Sequence, residues 1–226
     1  MSLSTEAGGR PHSHNPGVAY NLAGLALLVL LLAVGFAYLI DQAGRSTGPA
    51  EPALGDTQPV LQTIGGRELS IPTSWFRYGE QMKDGFASQA DLRFNLSLAP
   101  DAPPTPVEVT LLPRSRARAS SELLDRVYLH QFGAGIREGY PGLVGKPMMA
   151  REGYDGETVW YDALSPNPFV AKCAIEVEPD RPDSCLRTIH LQSGIAAVLK
   201  FDATALVNWR RFNDELALWL GQIGAL

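Results

Sequence analysis

The longest apolar run in the chain extends from Val18 to Ile40 and contains 23 residues, of which Asn21 is the only strongly polar one. At about 1.5 Å per residue, a helix of this length covers roughly 35 Å, enough to cross a hydrocarbon core of about 30 Å. Tyr20 and Tyr38 lie near its two ends, where amphipathic rings favour the headgroup layer. A cleaved signal peptide is the alternative, but its apolar region usually has only about 7–15 residues, and no small-residue cleavage site precedes Asp41. The pattern therefore predicts a transmembrane helix.

The segments on either side of this run have a different composition. Residues 1–17 form a short polar tail, and residues 41–58 are rich in Gly, Pro and Ala and have no apolar periodicity. Such a composition is typical of a flexible linker. The sequence therefore predicts four parts: a tail at 1–17, a membrane helix at 18–40, a linker at 41–58 and one compact domain at 59–226.

Apolar and polar residues alternate in the first half of the domain. Val60–Ile64 and Arg67–Ile71 are separated by Gly65-Gly66, a pair suited to a tight hairpin turn. Two further alternating segments follow, at Asp91–Leu98 and at 107–111. Because alternation gives each strand one apolar and one polar face, the pattern indicates half-buried antiparallel strands.

The second half of the domain combines further strands with two helices. The middle helix is predicted to begin at Ser120-Ser121-Glu122 and to end at Gly133. The final helix has apolar residues at helical spacing, namely Ala205, Trp209, Phe212, Leu216, Trp219 and Ile223. Strands are predicted at Pro147–Arg151, Glu157–Leu164, Phe169–Val177, Cys185–Leu191 and Ile195–Phe201. This order predicts an α+β fold, an antiparallel sheet with two main helices packed on it.

The stretch from Leu69 to Tyr78, LSIPTSWFRY, contains a turn with Ile71, Pro72 and Trp75. Together with the order of hairpin, middle helix, strand meander and final amphipathic helix, it resembles the PsbP/Mog1-type α/β/α sandwich. The resemblance implies a binding or assembly role rather than catalysis, and it carries over no functional residue.

Composition excludes several classes of function. The formal net charge is -5 and the isoelectric point is about 5.4, which argues against a nucleic-acid partner because phosphate contacts need a basic face. Two cysteines and four histidines cannot supply a paired Cys/His zinc framework. No metal site and no cofactor are therefore expected.

The orientation in the membrane depends on little charge, since Arg10 and the terminal amine flank one side of the helix and Arg45 the other. The short tail and the position of the cysteines favour a cytoplasmic amino terminus. Fifteen arginines against four lysines, with many Ala, Pro and Gly, are typical of a GC-rich bacterial genome. We therefore expect a single-pass protein of the bacterial inner membrane with its C-terminal domain in the periplasm.

Cys173 and Cys185 lie on either side of a turn-rich loop between two predicted strands. In an oxidising compartment they are expected to form a structural disulfide, which would remove entropy from the unfolded chain. Free buried thiols and a redox-active pair are the alternatives, although the CxxC spacing of a redox site is missing.

Catalytic candidates are few. His130 and His190 are the only histidines of the domain, and no GxSxG or SxxK motif accompanies them. His130 lies at the margin of the predicted helix and His190 on a predicted strand, so both are interpreted as structural. No catalytic residue is assigned, and we expect a protein that is not an enzyme.

Two groups of residues are candidates for an interaction surface. The first, here called the arginine loop, consists of Arg114, Arg116 and Arg118; it could contact anionic headgroups or an acidic partner, or be a solvated loop. The second group has the composition of interface hot spots, although a core tryptophan at a turn is commoner, and consists of Trp75, Phe76, Arg77 and Tyr78.

The sequence thus predicts a membrane-anchored periplasmic interaction domain, an accessory or assembly factor of a membrane or envelope complex, with a membrane or envelope protein as partner. One alternative is a ligand-binding or sensing domain, which a pocket of about 300 Å³ with few polar groups would favour. Another is a hydrolase, which a cleft joining His190 or His130 to a serine and a carboxylate would favour.

Overall fold

The computed structural model describes residues 16–46, 51–150, 156–176 and 181–226. These residues cluster into two compact units, 1–49 and 50–226. The first contains helix α1, Pro16–Ser46. Within it, Asn21–Asp41 has a mean hydropathy of 2.6, and none of this segment is buried in the structure. The prediction of a helix long and apolar enough to span a membrane is confirmed, although α1 continues beyond Ile40.

The second unit is built on an antiparallel sheet of seven strands, in the order β4-β5-β10-β9-β8-β7-β6. Its strands are β4 (Ala90–Leu96), β5 (Thr105–Pro113), β6 (Val144–Pro147), β7 (Glu157–Tyr161), β8 (Val170–Ala174), β9 (Ser184–His190) and β10 (Ile195–Asp202). Each predicted alternating segment overlaps a strand of this sheet or of the smaller one described next, although Asp91–Leu98 extends past the end of β4. The predicted strand Pro147–Arg151 is wrong for its described residues, because β6 ends at Pro147. Arg151 and Val177, the ends of two predicted strands, lie outside the described residues. Strands β8, β9 and β10 form the predicted meander.

A smaller sheet of three strands contains the predicted hairpin. Strand β1 (Pro59–Ile64) pairs antiparallel with β2 (Arg67–Pro72) and parallel with the short β3 (Gly85–Phe86). Gly65 and Gly66 form the turn with φ of 60° and 86°, a conformation that glycine adopts without steric cost.

Two helices cover opposite faces of the seven-stranded sheet. Helix α2 is Ser120–Arg126 and helix α3 is Trp209–Gln222. Successive side chains of a strand point to opposite faces, and Val159 and Trp160 of β7 accordingly belong to different apolar clusters. The larger cluster lies under α3 and the hairpin, and the smaller one lies under α2. The α+β class with two main helices is thereby established.

The middle helix is shorter than predicted. It ends at Arg126 because Val127 leaves the helical conformation, with φ -129° and ψ -59°, and a 3-10 turn follows at Tyr128–Gln131. The predicted capping residue Ser120 is the first helical residue, and its hydroxyl makes no cap. Leu124 of the predicted apolar face is buried, and Phe132 packs against the same small cluster from beyond the helix.

The second half of the predicted linker, residues 51–58, is not a free tether. The indole Nε1 of Trp75 donates to Ala53 O at 3.1 Å, and the backbone N–H of Gly55 donates to Gln222 Oε1 at 2.9 Å. The first half also differs, because α1 continues to Ser46. Residues 51–58 have no apolar periodicity, but side chains of the domain bind their backbone groups, which fixes them without a helix or strand.

Candidate functional site

The two cysteines form a disulfide, as predicted. Cys173 of β8 and Cys185 of β9 are directly paired across the sheet, with a Sγ–Sγ distance of 1.98 Å and a Cα–Cα distance of 3.9 Å. Both side chains are buried in the larger apolar cluster. The bridge therefore belongs to the core, away from solvent.

Strands β8 and β9 separate beyond this disulfide. Pairing between β8 and β9 covers 172–174 with 184–186, whereas β9 remains paired with β10 along its whole length, 184–190. Past Leu186, the backbone N–H of Thr188 donates instead to the hydroxyl of Ser120, at 2.8 Å. The separation leaves a cavity of about 290 Å³, here called the β8–β9 cleft, lined by Arg114, Ser120, Glu122, Asn167, Arg187 and His190, among others.

Arg187 is the buried cation of this cleft. Its position two residues after Cys185 places it on the core face of β9, and only 6% of its surface is exposed. The guanidinium lies 4.1 Å from the ring centroid of Phe169 and donates from Nη1 to Asn213 Oδ1 at 2.6 Å. Burial lowers the pKa of Arg187 to about 9, so the side chain still carries its charge at neutral pH.

His190 occupies the outer part of the same cleft. Arg114 Nε donates to its Nδ1 at 2.9 Å, which leaves the proton on Nε2, and Nε2 donates to Ala117 O at 2.8 Å. The carboxylate of Glu122 lies 3.5 Å from Nδ1. The cleft thus joins a histidine, serines and a carboxylate, the groups that the hydrolase alternative requires.

The hydrogen bonds nevertheless give these groups other roles. Both ring nitrogens of His190 are occupied by Arg114 and Ala117, and the hydroxyl of Ser120 accepts from Thr188. Within the described residues, no serine hydroxyl is hydrogen-bonded to His190, although a serine nucleophile needs such a contact with its base. His130, the other domain histidine, is exposed.

The cleft also differs from the pocket expected for an apolar ligand. Its lining contains two arginines, a histidine and a carboxylate beside a few apolar residues. A second, shallower cavity of about 330 Å³ lies along Ile136–Val144 and contains no buried charge. In the part of the chain that the structure describes, no group of three or more His, Cys, Asp or Glu side chains is placed to hold a metal ion.

The arginine loop lies at the surface, as both of its interpretations require. All three arginines are exposed, but their contacts differ. Arg114 is bound to His190 and lines the cleft, whereas Arg116 Nη1 donates to Ser88 O at 3.1 Å. Arg118 makes no polar contact with another described residue. Arg114 therefore belongs to the cleft, whereas Arg116 contacts the segment that contains Ser88.

The four residues from Trp75 to Tyr78 are not a common surface. Trp75 is fully buried, with ring centroids of Phe94 and Trp219 at 5.2 and 4.7 Å, and Phe76 is buried beside it. These two side chains are therefore core residues and unavailable to a partner. Arg77 pairs with Glu108 at 3.0 Å, and only Tyr78 is exposed.

Sequence reasoning missed the central residue of the cleft, although one signal was present. Arg187 lies in phase with Cys185 on an alternating strand, so its place on the apolar face could be read from the sequence. Nothing local predicts that β8 leaves β9 at this point or that Asn213 of α3 faces Arg187, because both depend on distant segments.

Comparisons of the chain with family models, with curated proteins and with solved structures found no match. The resemblance to the PsbP/Mog1-type sandwich therefore stays a prediction.

Proposed function

We propose that the chain is a single-pass protein of the bacterial inner membrane, with a cytoplasmic amino terminus and a periplasmic α+β domain that acts as an accessory or assembly factor of a membrane or envelope complex. The observation that carries the location is the disulfide between Cys173 and Cys185 in a domain that follows an apolar helix of membrane-spanning length. Disulfides persist in oxidising compartments and are rare in the cytosol.

An exposed aromatic side chain supports the interaction role. Phe86 of β3 is 95% exposed, although its backbone is held in place. Thr63 of β1 is its partner in the sheet, Ala87 N donates to Thr63 O at 3.0 Å, and Leu61 N donates to Asp84 Oδ1 at 2.8 Å. A fixed backbone that presents an aromatic ring to solvent is well suited to a partner, because little entropy is lost on binding.

Positive charge contacts the segment that follows this ring. The bond from Arg116 to Ser88 O connects the arginine loop to the segment that carries Phe86, and Arg118 is exposed in the same loop. Aromatic and arginine residues are the commonest anchors of protein interfaces. We infer that the partner is a protein with an acidic surface containing an apolar pocket for Phe86.

The interaction is tested by cross-linking and co-purification of the full chain in mild detergent. Phe86→Ser and the double variant Arg116→Glu/Arg118→Glu should each reduce recovery of a defined partner, and the arginine effect should be larger at low salt. Leu164→Ser, at an equally exposed apolar residue, and Arg126→Gln, at an exposed arginine of α2, are the matched controls. Loss of binding to anionic vesicles with unchanged partner recovery would assign this surface to lipid headgroups and contradict the protein partner.

The orientation is tested separately. A reporter fused after Leu226 should be active only if it is a reporter that works in the periplasm. Activity of a cytoplasmic reporter at that position would reverse the proposed topology.

A further inference from the structure

Arg187 is a buried charge without a carboxylate partner among the described residues. Its only hydrogen bond to a described residue is the bond to Asn213 Oδ1, a neutral acceptor, and its face lies on Phe169. A buried cation that is not paired with an anion is costly, because the interior solvates it less well than water does. The fold therefore retains a charge that the packing of the domain does not neutralise.

The unused donors of Arg187 have access to the β8–β9 cleft. A guanidinium carries five N–H donors, of which one is bound to Asn213. Among the described residues, Gln62 Oε1 is the one side-chain polar atom that is fully buried and has no hydrogen-bond partner. The nitrogens of Arg187 that have no partner are therefore not fully buried. Since the side chain lines the β8–β9 cleft, we infer that these nitrogens face it.

The cleft has an excess of positive charge. Arg114 and Arg187 are its two cations, and Glu122 is its one carboxylate. The side chain of Glu122 is 39% exposed and lies beside His190, to which Arg114 is also hydrogen-bonded. One positive charge is therefore left for a bound anion.

We propose that the β8–β9 cleft binds a small molecule through an oxyanion, either a carboxylate or a phosphate, that pairs with the free edge of Arg187. The planar fork of a guanidinium matches two oxygens of such a group. Arg114 supplies a second cation, and Ser121 and Asn167 supply polar groups at the wall. A volume of about 290 Å³ lies at the lower end of the range usual for ligand sites, which suits a small organic acid or phosphate compound. The site is independent of the Phe86 surface and goes beyond the proposed interaction role.

The test measures binding of succinate, citrate and inorganic phosphate to the purified full chain in detergent, by calorimetry and by the ligand-dependent rise in melting temperature. At least one probe should bind saturably. Arg187→Met, which keeps much of the apolar stem, should weaken that binding at least about 30-fold, since it removes one partner of a buried charge pair. Arg187→Lys, which keeps the charge and loses the fork, should bind with intermediate affinity. Arg126→Met, at an exposed arginine outside the cleft, should bind like the wild type.

The outcomes separate the possible roles. Binding of the organic acids alone assigns the site to a carboxylate, and binding of phosphate assigns it to a phosphate group. Failure of all three probes, or equal binding to Arg187→Met, would overturn the proposal and leave Arg187 a structural residue stacked on Phe169. If Arg187→Met does not fold, Arg114→Gln takes its place and should weaken binding several-fold. Because no partner protein is present, these results do not depend on the Phe86 surface.

Discussion

The hydroxyl of Ser120 accepts a hydrogen bond from the backbone N–H of Thr188 at 2.8 Å, at the point where β8 no longer pairs with β9. The side chain thereby replaces a missing strand partner and ties α2 to the sheet. A backbone N–H in a partly buried place must find an acceptor, and here the acceptor comes from a residue 68 positions away.

Ser120→Ala is therefore expected to destabilise the domain by about 1–3 kcal/mol, because it leaves the Thr188 N–H without its acceptor. Urea unfolding of the full chain measures the loss, and hydrogen exchange of the Thr188 amide should become faster. Ser121→Ala is the matched control, since Ser121 is adjacent and makes no hydrogen bond to a described residue. Equal effects of the two substitutions would contradict the assigned role of Ser120.

The disulfide is expected to contribute substantially to stability. Cys173 and Cys185 are 12 residues apart, and closing a loop of about this size stabilises the fold by roughly 3 kcal/mol through the unfolded state. The double variant Cys173→Ala/Cys185→Ala should lose about this much in chemical unfolding. Reductant should destabilise the wild type and leave the double variant unchanged. Labelling of both thiols in unreduced, denatured protein would refute the bridge.

Asp91 is expected to make the domain sensitive to acid. Burial raises the pKa of its carboxyl, but hydrogen bonds from Thr110, Gln81 and Gln89 outweigh burial and hold the pKa below the ordinary value of 3.8. The folded protein then holds fewer protons than the unfolded chain, so this contribution is fully present above about pH 3.8 and is lost as the pH falls through the folded pKa.

Asp91→Asn tests this expectation. It should lower the free energy of unfolding by about 1–2 kcal/mol at neutral pH and reduce the loss of stability on acidification. Unfolding curves recorded from neutral pH downwards measure both effects. Asp101→Asn, at an exposed turn, should change neither. An unaltered acid profile in the Asp91 variant would place the sensitivity on other carboxyls.

Gly145 of β6 is expected to tolerate no side chain. A Cβ there would lie 2.5 Å from Cζ3 of the buried Trp160 and 2.8 Å from Arg137 O. Gly145→Ala should therefore lower stability by about 1–3 kcal/mol, since the indole or the backbone must move. The melting temperature and near-ultraviolet circular dichroism of the tryptophans report this change. Gly79→Ala, at a position with no atom within 4 Å of the added Cβ, should leave both unchanged.

Local pattern determined much of this protein. The apolar run at 18–40 needs no partner to specify a helix, because every backbone group is satisfied within the segment. Alternation and the Gly65-Gly66 turn likewise specify the hairpin locally, since two strands joined by a two-residue turn have few alternative pairings. The disulfide followed from two consecutive strands of one meander, which pair with Cys173 directly opposite Cys185.

Tertiary structure decided the features on which the proposals rest. The middle helix ends at Arg126 although its apolar pattern continues, and Tyr128 and Phe132 contact the small cluster beneath it from outside the helix. Residues 51–58 are fixed by contacts with Trp75 and Gln222, which no local pattern contains. The separation of β8 from β9, and with it the buried charge of Arg187, depends on α2 and α3 together. Sequence periodicity sets which face of a strand is apolar, whereas only packing between distant segments sets where two strands part and which polar group is left in the gap.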